Sequence, residues 1–65
     1  MLGYVRWYSI EKGYGYIKAD DNQDVYVHFS DILSKDHKVL RKNEVVEFDI
    51  VYSFRGPRAK NVQKR

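Results

Sequence analysis

The chain has 65 residues, which predicts one small domain spanning 1–65, and it has no cysteine, which excludes disulfides and thiolate metal sites. No stretch approaches the roughly 20 apolar residues of a spanning helix. The opening MLGYVRWYS has neither the charged lead-in nor the apolar run of a signal sequence, so a soluble cytoplasmic protein is expected. A net charge of +3 and a pI near 9.3 favour an anionic partner.

Residues 3–10 are rich in aromatic and β-branched types and read as a first strand with Val5 inward. Strict alternation would group Trp7 with Val5 and leave Arg6 and Tyr8 outside, but a bulge would reverse this, so the direction of Trp7 stays open. Residues 9–13 supply a turn in which Gly13 is free to take positive φ, and 14–19 form strand two. The polar run 20–23 is a hairpin connection, and strand three covers 24–29. Ser30 is expected to cap a short helical turn through Asp31, Ile32 and Leu33. A lysine-rich loop over 34–43 follows, long for a hairpin. Val46, Phe48, Ile50 and Tyr52 then alternate with Glu47, Asp49 and Val51 as a half-buried strand. Residues 53–57 turn, and a last strand over 58–63 sends Val62 into the core, with Lys64 and Arg65 fraying. Five short strands in so few residues predict an all-β fold closed as a small barrel.

Side chains alternate between the faces of a strand. In strands two and three Ile17, Val25 and Val27 therefore mark the inside, while Tyr14, Tyr16, Tyr26 and His28 are expected to form one flat patch of rings outside. Rings exposed to water suit unpaired nucleobases, whose π faces gain roughly 1–3 kcal/mol per stacked base regardless of base identity. Duplex bases are already stacked on one another. Arg6, Lys12 and Arg55, helped by Lys38 and Arg58, would line a phosphate path, and Gly13 and Gly15 would keep the surface low between rings. A carboxylate at Asp24 could accept a hydrogen bond from a base amino group.

The runs KGYGYI and VYVHFS, with GYVRWYS, the Ser30–Asp31–Ile32 turn and RGPRAKNV at consistent spacing, resemble the cold-shock domain family over nearly the whole chain. The resemblance implies a five-stranded antiparallel oligonucleotide-binding barrel, the OB-fold, that grips single-stranded RNA or DNA and serves bacteria as an RNA chaperone. Carried over by position, its binding surface falls on Arg6, Trp7, Tyr8, Lys12, Tyr14, Tyr16, Asp24, Tyr26, His28, Phe29 and Arg55, with His37 in the long loop. The chain departs from the family's usual pattern in several places. His37 stands where phenylalanine is common, which would make a stacking contact there weaker and sensitive to pH. Asp36 replaces a glycine, Arg58 a glutamine, and Lys42 and Asn43 a glutamate and a glycine. Tyr14 and Tyr16 stand where phenylalanine is usual and add hydroxyls able to bond phosphate, sugar or base edge.

Other readings of the same residues are less economical. The tyrosines could be cross-strand packing pairs only. Two histidines without cysteine make a poor metal or catalytic set, so no enzyme, metal or cofactor is expected. The acidic turn at Asp20, Asn22 and Asp24 mimics a calcium loop, but Val25 stands where glycine is required. There is no phosphate-binding GxxxxGK[ST] loop, so strand opening would rest on preferring the unpaired state. A monomer partnered by single-stranded RNA and DNA is expected, with no small-molecule substrate. The competing class is a barrel whose aromatic groove takes extended peptides.

Overall fold

A computed structural model describes residues 1–33 and 40–65. Five strands, β1 (Leu2–Ser9), β2 (Tyr14–Ala19), β3 (Asp24–His28), β4 (Val45–Ser53) and β5 (Gly56–Lys64), close into a barrel in the order β1-β2-β3-β5-β4. The neighbours pair antiparallel except at the β3–β5 seam, where Tyr26 lies beside Arg58 in parallel. The five-stranded antiparallel barrel expected from the sequence is observed, and its single parallel seam has a topological reason. Strand directions cannot alternate all the way round a ring of odd number, so five strands leave one parallel seam.

The alternation read in β2 and β3 is observed. Ile17, Val25 and Val27 are buried with Val5, Val46, Ala59 and Val62 around Phe48, the largest fully buried side chain. Ile32 and Leu40 plug the core beside the long connection. In β4 the inward set ends earlier than expected. Val46 and Phe48 are buried and Ile50 is partly buried, but Tyr52 is exposed and its hydroxyl donates to Gln23 Oε1 at 3.3 Å. β1 covers β4 only from Val45 to Glu47, so the far end of β4 pairs with β5 alone and outruns the barrel.

Two local features aim the outer face. β1 shifts register between Val5, which pairs with Ile17, and Trp7, which pairs with Tyr16, so Arg6 is the extra residue of a bulge. Trp7 is thereby turned outward with Tyr16, and Tyr8, opposite Gly15, is turned onto the core side. That one-residue slip decides what strict alternation left open: Trp7 faces outward and Tyr8 inward. The second feature is the short turn, which is a 3-10 helix over Phe29–Asp31 capped by His28 rather than by Ser30. The His28 Nδ1 accepts from the Ser30 backbone N–H at 3.2 Å and lies 2.8 Å from Ser30 Oγ.

Candidate nucleic-acid interface

Cross-strand register places the rings. Trp7, Tyr16 and Tyr26 follow one another across β1, β2 and β3, and Tyr14 pairs with His28 one step along. Trp7 meets Tyr14 at 5.5 Å and Tyr16 at 5.8 Å between ring centroids, and Tyr26 meets both Tyr14 and Tyr16 at 5.8 Å. His28 and Phe29 form a second pair at 4.6 Å. Trp7 and Phe29 are each 43% exposed. The rings are contiguous but not flat: interplanar angles run from 30° for Tyr14–Tyr26 to 73° for Tyr16–Tyr26. The flat patch expected from the sequence is therefore a faceted one, as the ring quadrupole favours edge-on and tilted contacts between neighbours. Gly13, at φ 73°, fixes one end. Its N–H donates to the Ser9 carbonyl at 2.8 Å, and its own carbonyl accepts from the Phe29 N–H at 2.9 Å, tying the β1–β2 turn to the start of the 3-10 helix.

Charge flanks the rings on two sides. Beside Trp7 and Tyr16, Asp24 Oδ1 receives Arg6 Nη1 at 3.2 Å and Lys18 Nζ at 3.4 Å. The Arg6 hydrogen bond, helped by the Lys18 charge, holds the Asp24 carboxyl below its ordinary range. Asp24 is thus engaged by two cations as well as being placed at the edge of the platform. Beyond Tyr26, the Arg58 guanidinium carbon lies 5.8 Å from the ring centroid, within reach of a cation–π contact. A cleft of about 270 Å³ there is lined by Tyr16, Tyr26, Ser53, Arg55, Pro57 and Arg58, among others. Arg55 sits exposed in the β4–β5 turn, its backbone N–H donating to Ser53 Oγ at 3.2 Å. Lys12 is exposed in the β1–β2 turn just before Tyr14.

Arg58 is held by a residue the sequence assigned only to a turn. Asp31, 8% exposed, takes Arg58 Nε at 2.9 Å and Arg58 Nη2 at 2.8 Å on Oδ2, and Lys60 Nζ at 3.1 Å on Oδ1. Burial alone would raise this carboxyl, but the hydrogen bonds from Lys60 and Arg58 outweigh it and keep the pKa below the ordinary 3.8. Because the folded value is the lower one, the stabilisation is complete above 3.8 and is lost as pH falls through the folded value. Asp31→Asn is expected to cost about 1–2 kcal/mol at neutral pH, less than for a fully enclosed pair because both cations keep access to water. Urea unfolding from neutral to acid pH checks this: the gap between variant and wild type should close as pH falls. A constant gap would place the loss in packing instead.

Of the residues singled out from the sequence, Trp7, Tyr14, Tyr16 and Tyr26 come together, with Arg6 and Asp24 at one margin and Arg55 at the other. His28 and Phe29 adjoin them through Tyr14, and Lys12 stays on its turn. Tyr8 does not join them; it packs half-buried against the core, which raises its phenol pKa. His37 and Lys38 lie outside the described residues. Phe54, fully exposed beside Arg55, was not singled out by the sequence reading, since period two says nothing at a turn tip. Among the described residues no group of three or more His, Asp or Glu could hold a metal, and no helix is long and apolar enough to cross a membrane.

A closed five-stranded barrel carrying rings and cations on one outer face has the build of a nucleic-acid-binding module. Comparison with known proteins agrees. The model of the 'Cold-shock' DNA-binding domain matches residues 1–65. The chain is 53% identical to a cold shock-like protein of Aquifex aeolicus, covering 94% of this chain and 89% of that one. It is 50% identical to the cold shock-like protein CspC of Bacillus cereus over 98% of each, and 45% identical to the cold shock protein CspA of Staphylococcus aureus over 95% and 94%. The solved structure titled drosophila Unr CSD456 superposes with a TM-score of 0.78 at 20% identity. That match covers 98% of this chain and 26% of the solved one, so the present chain spans about a quarter of its length, and the likeness is one of fold. The chain belongs to the cold-shock domain family, a family of nucleic-acid-binding proteins rather than enzymes.

Proposed function

We propose that this protein binds single-stranded RNA and DNA with low sequence specificity and acts as a cytoplasmic, monomeric RNA chaperone that keeps strands unpaired by mass action. The observation that carries the reading is the contiguous set of exposed Trp7 and half-buried Tyr14, Tyr16 and Tyr26, between cations, on the outer side of strands whose inner side is aliphatic. Bases stack on the rings, and phosphates pass Arg6 on one side and Arg55 and Arg58 on the other. The tilt between rings suits a flexible single strand, whose bases can each turn to the facet they meet. A duplex is excluded because its bases would first have to be unstacked. Lys12, His28, Phe29 and His37 extend the surface, and Tyr8 supports it from the core side. The tyrosine hydroxyls supply hydrogen bonds to phosphate, sugar or base edges.

The test is a titration of Trp7 fluorescence with pyrimidine and purine single strands and with a matching duplex. Both single strands should quench and the duplex should not. The affinity should fall with salt at a slope of about 0.7 per phosphate contacted. Equal affinity for the duplex would overturn the stacking mode, and an affinity insensitive to salt would point to the peptide-binding alternative.

A further inference from the structure

The outer face of the barrel does not end at Trp7. Followed along β1 past the Arg6 bulge, it reaches Tyr4, which lies between Lys18 of β2 and Val45 of β4 by register. Its neighbours Gly3 and Val5 face the interior side, so the Tyr4 ring shares the outer face with Lys18, and it is 44% exposed. Leu2 and Val45 are exposed alongside. Together Leu2, Tyr4, Lys18 and Val45 line half of a shallow groove of about 390 Å³, and Gly3, Ala19, Asp20 and Asn22 line the rest.

This groove is joined to the ring platform. A hollow bounded by Arg6, Trp7, Tyr16 and Asp24 lies on one side, and Lys18, which borders the Tyr4 groove, reaches Asp24 at 3.4 Å. Lys18 follows Tyr16 by two residues, about 6.6 Å along the strand. Arg6 lies in the bulge between Trp7 and Tyr4, Lys18 stands level with Tyr4, and both reach Asp24, so two cations and one carboxylate adjoin the step from the Trp7–Tyr16 rings to the Tyr4 ring. The order along the face is ring, positive charge, ring. That order matches the alternation of base, phosphate and base in a single strand.

We propose that Tyr4, with Lys18 beside it and Leu2 and Val45 as an apolar floor, is an additional stacking subsite for one nucleobase of a strand that has already crossed Trp7. The inference rests on the single-strand reading above. A phosphate arriving between the two rings takes Arg6 and Lys18 as partners in competition with Asp24, and the next base settles on the Tyr4 ring. An apolar peptide would gain nothing from the cationic bridge, whereas a polyanion does.

The experiment measures affinities of wild type, Tyr4→Thr, Tyr4→Phe and Tyr16→Ala for oligothymidylates of about six and about nine nucleotides, lengths within the site sizes of such barrels. Thermal melting accompanies each variant, and threonine is chosen because it is a good strand former. Tyr4→Thr should lose about tenfold on the longer strand and nothing on the shorter, while Tyr4→Phe keeps wild-type affinity on both. Equal affinities of Tyr4→Thr and wild type for the longer strand would overturn the subsite, as would an equal loss at both lengths. Should Tyr4→Thr fail to fold, wild type alone decides: affinity that does not rise with length beyond the statistical factor overturns the proposal. Tyr16→Ala separates the two levels of the argument. If it binds the shorter strand as wild type does, the platform itself is wrong, whatever Tyr4 does.

Discussion

Gly15→Ala is expected to destabilise the barrel by about 3 kcal/mol or more, the upper part of the range for overpacking. A Cβ at Gly15 would lie 2.2 Å from the Trp7 carbonyl oxygen and 2.7 Å from the Tyr8 Cα. Both are backbone atoms on the far side of the bulge, and neither can turn aside as a flexible side chain would. β1 would have to move off β2 where the bulge presents Trp7 to the platform. For a domain of this size the loss corresponds to a fall in Tm of at least about 12 °C. Thermal and chemical unfolding measure it, and the Trp7 emission of the folded variant reports whether the ring has left Tyr14 and Tyr16. A midpoint within a few degrees of wild type would show that the bulge is looser than its contacts imply.

The largest effect on binding is expected from removing two touching rings together. Tyr16→Ala with Tyr26→Ala should weaken single-strand affinity by about 2–5 kcal/mol, under the sum of two isolated stacking losses because neighbouring sites are not additive. These rings are cross-strand partners on the outer face, so the barrel should lose only about 1 kcal/mol with them. Arg58 would lose the ring beneath it but keep Asp31. The salt slope should therefore stay close to that of wild type while the intercept drops. Titration at several salt concentrations, with a melt of the variant, checks both halves. Retained affinity would remove stacking as the source of binding; a collapsed salt slope would mean that the rings chiefly position the cations.

How much of this could be read from the residues depended on how far apart the deciding contacts lie. Ile17, Val25, Val27 and Val62 declare themselves because alternation is a property of covalent neighbours, and the same count places Tyr14, Tyr16 and Tyr26 outside. Trp7 and Tyr8 could not be settled, since their facing turns on whether β1 slips one residue against β2, which is decided across the strand pair. The Asp31–Arg58 contact is more remote still. It depends on the parallel seam bringing β5 beside β3, and no local pattern in either segment announces that pairing. Tyr52 misled for the opposite reason. Its alternation is faultless, but β1 no longer covers β4 at that point, so there is no interior for the ring to enter.

β5 occupies the gap between β3 and β4, although it is made after both. Until β5 emerges from the ribosome the ring cannot close, so any sheet formed by the first four strands has two bare edges, one of them β3 with Tyr26. Unpaired edges of this sort are where chains join one another wrongly. Arrival of Ala59 and Val62 seals the interior, and arrival of Arg58 brings the cation to Tyr26 and to Asp31. Protection of the chain from its own kind and completion of the proposed ligand surface are thus one event, timed to the end of synthesis of this domain.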